Sequence, residues 1–203
     1  MAGLIRTLRT LIGRGKDEPF IPTFIDEPGK GYRGPTPAKA VANAPAVVDP
    51  TVQVHAPVDG TVLALTQVPD PTIAETYFGA GLAVDAESGL IVAPVAGKLH
   101  LPFPTLHAFT ITTETGIDVL VHIGVDTVHL PQGTFIAEVQ DGDDVVVGQP
   151  IIRFDFERVC AQVQSLATCV LIQHISDHDV EVRTNAGSLG VFAGDDLFSL
   201  EVR

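Results

Sequence analysis

The chain has 203 residues, 25 acidic against 12 basic side chains, a formal net charge of -13, and 45% hydrophobic content. That is enough apolar material for a sizeable core, so global disorder is excluded. No apolar run reaches the ~18–20 residues a bilayer span needs, and so acidic a chain repels phosphate backbones, so no nucleic-acid partner is expected.

Length at roughly 150 residues per domain suggests one domain with additional chain. Residues 1–16 (MAGLIRTLRTLIGRGK) carry Arg6, Arg9, Arg14 and Lys16 and no acid, a charge of +4 that leaves -17 for the remainder. Leu4, Ile5, Leu8, Leu11 and Ile12 fall on one face at helical spacing, predicting an amphipathic basic helix. It reads as a peripheral anchor for an anionic membrane surface, a helix packed on the body, or a targeting segment. Residues 17–50 hold seven of the 15 prolines and read as an extended linker. The Gly29–Gly34 run matches G-x-G-x-x-G but lacks the flanking strand and helix of a dinucleotide site.

From residue 51 to 203 the texture is β-rich. Strands are expected at Gly60–Val68, Leu90–Val92, Lys98–Leu101, Ala108–Thr112, Asp118–His122, Thr134–Val139, Ile151–Phe156, Thr168–Ile172, Val180–Thr184 and Leu197–Val202, with one helix over Glu157–Ser165. The sum is an all-β, antiparallel sandwich or barrel. Ala56-Pro57-Val58-Asp59-Gly60 is echoed 37 residues on by Ala93-Pro94-Val95-Ala96-Gly97, and more loosely around Asp141–Val145, which fits a duplicated motif.

The chain has no P-loop, G-x-S-x-G or C-x-x-C, and Cys160 and Cys169 read as reduced thiols. Chemistry is left to histidine. His107 lies in an alternating run, a turn is expected at Glu114–Gly116, and His122 lies in the returning run, so pairing brings the two segments together. His122 shares strand parity with Leu120 and Gly124, predicting a partly apolar, open face. A neutral imidazole is a good nucleophile toward phosphorus; a second can donate to phosphoryl oxygens while a hydroxyl fixes its tautomer. Alternatively, two histidines and a carboxylate could hold a catalytic zinc: His122–Asp126 is H-x-x-x-D, although the H-x-H such hydrolases also need is absent. His174 and His178 read as solvated, and His55, His100 and His129 lack a convergent partner.

The stretches APVDGTV (56–62), VPD (68–70), APVAGKL (93–99), TLHAF (105–109), VHIGVDTV (121–128) and VGQPIIRFD (147–155) resemble the glucose-type enzyme IIA (EIIA type-1) of the bacterial phosphoenolpyruvate-dependent sugar phosphotransferase system over about three-quarters of the chain. The resemblance implies a phosphotransferase component of the cytoplasm, peripheral at the inner membrane face if residues 1–16 bind there. His122 would accept phosphate from the histidine-containing phosphocarrier protein and pass it to a cysteine of a sugar-permease IIB domain. His107 would stabilise the phosphoryl group, Thr105 would orient His107, and the Gly124 carbonyl would hold the His122 ring. The implied partner surface is Ile73, Tyr77, Phe78, Phe103, Leu120 and Val128, rimmed by Asp70 and Asp126. No cofactor is required, while a non-catalytic zinc on His107 and His122 is allowed when a regulated enzyme or transporter supplies a carboxylate. Aliphatic Ile73 and Leu120 stand where the family has aromatics, and Leu106 where it has a small polar amide. The alternative roles are a regulatory binding module switched by phosphorylation of His122 and, on the residues alone, a zinc hydrolase.

Overall fold

The structure, a computed structural model, describes residues 51–75, 79–173, 180–184 and 190–202. The basic N-terminal segment, the proline-rich stretch, the Gly29–Gly34 run, Tyr77, Phe78, His174 and His178 lie outside the described residues.

Fourteen strands are present among those residues: β1 (Thr51–His55), β2 (Gly60–Ala64), β3 (Ala80–Ala86), β4 (Leu90–Val92), β5 (Gly97–His100), β6 (Ala108–Thr112), β7 (Asp118–His122), β8 (Phe135–Ala137), β9 (Asp144–Val145), β10 (Pro150–Phe154), β11 (Ala167–Ile172), β12 (Val180–Thr184), β13 (Gly190–Val191) and β14 (Asp196–Val202). All pairings are antiparallel. They build one eight-stranded sheet, β13-β2-β3-β11-β7-β6-β5-β9, and two three-stranded sheets, β1-β14-β12 and β4-β10-β8. The core between them is aliphatic with a few phenylalanines, and includes Phe109, Ile91, Leu99, Ile111, Ile151 and Leu200. Each fully buried side chain of this size contributes about 1.5–3 kcal/mol.

The expected all-β sandwich is thus observed, and the duplicated pentapeptide is its organising element. The His55 amide donates to the Pro94 carbonyl (2.9 Å) and the Val92 amide to the Pro57 carbonyl (2.7 Å). These are the same bond with the two copies exchanged. Ala56 then accepts from Gly194 and donates to Asp195, while Ala93 accepts from Gly148 and donates to Gln149. The looser third echo is therefore not another copy. It supplies β9 and the turn after it, which pair with the second copy as β13 and its turn pair with the first. The eight-strand order accordingly reads as a palindrome about the β11–β7 pair.

Each motif ends in glycine because its Cα packs against a neighbouring strand. A Cβ on Gly60 would lie 2.0 Å from the Asp85 carbonyl oxygen, and one on Gly97 would lie 2.2 Å from that of Thr112. No rotamer can relieve contact with a backbone atom.

Several boundaries differ from the sequence reading. The run from Gly60 ends as a strand at Ala64, gives a 3-10 turn over Leu65–Gln67, and continues to helix α1 (Pro71–Ala74), with Asp70 as N-cap and Pro71 in the first turn. The expected Glu157–Ser165 helix is the shorter α2 (Phe156–Cys160), capped by Asp155, whose Oδ1 accepts from the Arg158 amide. It stops before Ser165, whose carbonyl is needed by the Val125 amide. Strands β1, β3, β9 and β13 were not expected. Ala80–Ala86 has little intrinsic strand preference; it is extended because β2 and β11 pair with its two edges.

Gly60→Ala and Gly97→Ala should each cost about 3 kcal/mol or more, by overpacking against the paired strand. Urea denaturation of the purified chain reads this directly, and a midpoint within error of wild type would show that the crossing tolerates a Cβ.

Candidate functional site: a buried histidine pair

The hairpin β6–β7 turns at Thr113–Ile117, where the Gly116 amide donates to the Thr113 carbonyl. Its register sets Ala108 opposite His122, and just beyond the ladder the Ile123 amide donates to the His107 carbonyl at 2.8 Å. The two histidine segments are thereby locked together, as the expected hairpin requires. Val119, Val121 and Ile123 point into the core. Leu120 and His122 take the opposite face, as their parity predicts, but that face is not open. His107, His122 and Leu120 are all buried. Across β11, Cys169 stands opposite His122 and is buried too.

The imidazoles of His107 and His122 lie 5.3 Å apart between centroids, at 82°. Behind His107, the Phe103 ring packs at 4.8 Å, and Thr105 Oγ1 meets Nδ1 at 2.7 Å. Leu106 adopts φ 53, a left-handed conformation rare for leucine, and its amide donates to the Phe103 carbonyl. This tight turn between Phe103 and His107 would better suit glycine or a small polar amide, the residue types that best tolerate φ > 0.

The loop after His122 contains Gly124 at φ 64 and Asp126 at φ 58. A Cβ on Gly124 would meet Thr127 Cγ2 at 2.9 Å and the Ser165 carbonyl oxygen at 3.0 Å. Thr127, fully buried, donates from Oγ1 to the Ile123 carbonyl at 2.5 Å and fastens the loop back onto β7. The sequence reading gave Thr127 no role. Nδ1 of His122 is buried and makes no hydrogen bond of normal geometry, yet the Gly124 backbone is close enough to pull the ring's pKa upward.

Both rings are held neutral. Burial, then the neighbouring His122, then His129, push the His107 pKa down to about 3. Burial also lowers that of His122, against the opposing pull of Gly124, Asp70 and Asp126. His129, which the sequence left without a partner, thus stands within electrostatic reach of His107 from the exposed end of the 3-10 turn Thr127–His129. Burial and Asp70 drive the Cys169 thiol up to about 12, which leaves it protonated and inert.

The expected partner surface is more closed than the resemblance implies. Ile73, Phe103 and Leu120 are buried and Val128 is half-buried. Asp126 is exposed, as a rim residue should be. Asp70 is not: it is 7% exposed, because its carboxylate turns inward to cap α1, Oδ1 accepting from the amides of Thr72 (2.7 Å) and Ile73 (3.4 Å). His55 joins β1 to β14, with Nδ1 3.0 Å from the Gly194 carbonyl oxygen and 3.3 Å from Asp196 Oδ1. Among the described residues no three His, Cys, Asp or Glu side chains are grouped to hold a metal ion, and no helix is long and apolar enough to cross a membrane.

Residues 52–178 match the family model described as phosphoenolpyruvate-dependent sugar phosphotransferase system, EIIA 1. The chain belongs to that family. It is 42% identical over 122 residues to the PTS system glucose-specific EIIA component of Halalkalibacterium halodurans, spanning 60% of this chain and 70% of that one. It is likewise 42% identical over 123 residues to the glucose-specific EIICBA component of Streptococcus pneumoniae, covering 61% of this chain and 17% of the relative. The solved glucose permease IIA of Mycoplasma capricolum superposes with a TM-score of 0.65 at 32% identity, covering 73% of this chain and 95% of that one. This EIIA domain is a phosphoryl carrier and phosphotransferase component of the system. The zinc-hydrolase alternative drawn from H-x-x-x-D finds no support in these relatives. Fusion of such domains to permease components in multidomain relatives agrees with a permease partner.

Two outcomes follow from this geometry. Because the folded-state pKa of His107 is depressed, its neutral burial stabilises the fold above the unfolded-state value near 6.5. That stability drains away as pH falls from there toward about 3. Denaturation at stepped pH should show this acid limb, and His107→Gln should flatten it. Gly124→Ala should destabilise by about 1–3 kcal/mol through its left-handed backbone and the unyielding Ser165 carbonyl, and should slow phosphoryl uptake; chemical denaturation and a timed labelling assay measure the two effects.

Proposed function

We propose that His122 is the phosphoryl acceptor of this EIIA domain, taking the group from the histidine-containing phosphocarrier protein and handing it to a cysteine of a permease IIB domain. The observation that carries the reading is the pair of neutral, buried imidazoles set edge to face, the second of them pinned by Thr105.

A neutral ring offers an unprotonated nitrogen at neutral pH. With its proton on Nδ1, directed at the Gly124 carbonyl, His122 presents the Nε2 lone pair to phosphorus. As the Nε2–phosphorus bond forms, the phosphorus–nitrogen bond to the carrier breaks and its electron pair returns to the carrier's imidazole. On the second leg a thiolate attacks phosphorus and His122 leaves, again neutral. Thr105 donates to His107 Nδ1, which keeps that ring's proton on Nε2, where it can bond a phosphoryl oxygen. Placing two protein groups in line around one phosphorus is chiefly a matter of docking, and exposed Asp126 suits a basic approaching surface. This work is done in the cytoplasm, at the inner membrane face if residues 1–16 anchor there. The chemistry needs no cofactor. Two imidazoles at this separation could share a zinc ion only if a regulated partner completed the ligand set.

Incubation with phosphoenolpyruvate, enzyme I and the phosphocarrier should introduce an acid-labile, base-stable label. His122→Ala should abolish it; label at the wild-type rate in that variant would exclude the assignment. His107→Ala should accept label and fail to pass it to the IIB cysteine.

A further inference from the structure

Thr127 is fully buried, yet packing alone does not call for threonine there. Valine has the same shape and carries no hydroxyl to desolvate. What the hydroxyl adds is a hold on the residue that follows His122. The Ile123 amide donates to the His107 carbonyl at 2.8 Å, and the Ile123 carbonyl accepts from Thr127 Oγ1 at 2.5 Å. One peptide further on, the Val125 amide donates to the Ser165 carbonyl at 3.0 Å. Gly124, at φ 64, stands between these last two bonds. Both of its flanking peptide planes are therefore fastened, one by Thr127 and the other by Ser165. The Thr127 methyl closes the third side, since a Cβ on Gly124 would lie 2.9 Å from Cγ2. A trans peptide sets its carbonyl opposite its N–H, so the Gly124 carbonyl is held pointing away from Ser165.

The ring beside this loop has one unsettled atom. Among the described residues, Nδ1 of His122 is the one buried side-chain nitrogen or oxygen without a hydrogen-bond partner of normal geometry. The tautomer of a neutral imidazole is set by what its nitrogens bond, so here it depends on how the adjoining backbone is placed. Given the carrier reading above, on which this inference rests, we propose that Thr127 is a positioning residue for phosphoryl transfer: its hydroxyl fixes the Ile123–Gly124 peptide group, and through it the Gly124 carbonyl that keeps the His122 proton on Nδ1. A carbonyl only accepts, so its approach favours the proton on Nδ1 and leaves the Nε2 lone pair for phosphorus. Without the hydroxyl that peptide group turns more freely and the proton redistributes to Nε2, where it blocks attack. Both tautomers are neutral, so no charge is gained or lost. Docking does not register the change, because Thr127 presents nothing to a partner.

The test compares Thr127→Val, which keeps the shape and loses the hydroxyl, with Thr127→Ser, which keeps the hydroxyl and loses the methyl. Two quantities are read on the full-length chain: the single-turnover rate of phosphoryl uptake against phosphocarrier concentration, and the tautomer of His122 from two-bond proton–nitrogen NMR correlations, assigned with His122→Gln. Thr127→Val should lower the saturating rate by roughly tenfold to a hundredfold, the scale of a small misplacement of a reacting group. Its half-saturating concentration should stay unchanged, and its NMR spectrum should show a larger share of the Nε2-protonated ring. Thr127→Ser should recover most of the rate and the wild-type tautomer. Wild-type rate and tautomer in Thr127→Val overturn the proposal. Equal losses in both variants overturn it too, since they belong to packing, as does a change confined to the half-saturating concentration. If Thr127→Val proves poorly folded by circular dichroism, Thr127→Ala is read on the same criteria. The wild-type spectrum needs no variant, and a proton residing on Nε2 in it also refutes the proposal. Absence of label from wild-type His122, with the Nδ1-protonated ring observed, would instead overturn the carrier assignment.

Discussion

The hydrogen bond from the Ile123 amide to the His107 carbonyl, continuing the β6–β7 ladder past Ala108 and His122, is the constraint on which the rest of the site depends. It fixes two histidines from strands joined by a tight turn so that neither can move without the other. The neighbouring contacts reinforce it. Thr105 and Phe103 hold His107 from behind, and Thr127 draws the loop after His122 back onto the strand. A site built on ladder hydrogen bonds rather than on free loops suits a carrier that must present one nitrogen in line to two different proteins.

Strain collects around this constraint. Among the described residues the two non-glycine positions with φ > 0 are Leu106 and Asp126, one immediately before His107 and the other four residues beyond His122. Left-handed residues at a site held by surrounding structure mark places where geometry has been favoured over local comfort. Leucine at 106 is the sharper case: its side chain packs against the core while its backbone takes a conformation rare for leucine.

The sheet beneath is a pseudo-symmetric object with an asymmetric site. The two APV-x-G copies exchange identical backbone bonds, and the strands flanking them match in mirrored order. The histidine pair breaks that symmetry. It sits at the end of β7 and just before β6, on one half of the sheet. Burial keeps both imidazoles neutral, so that His122 is nucleophilic.

Much of this was legible in the chain itself. Alternation over Ala108–Thr112 and Asp118–His122 determined the hairpin and the proximity of its two histidines, because a period of two and a tight turn leave few ways to pair. The repeated APV-x-G motif announced duplication. The words of the family's motifs carried the functional assignment, which the comparisons confirmed at the level of the phosphotransferase system. What the sequence could not express was environment. Strand parity showed that His122 leaves the core, but not that its ring is nevertheless buried. An acidic residue in a polar-looking VPD read as rim, and only packing of the segment from Leu65 to Ala74 turned Asp70 inward. Thr127 and His129 looked ordinary for the same reason. Their significance lies in distances between residues set by a register, and in a dielectric set by everything packed around them, neither of which is a property of any short stretch of sequence.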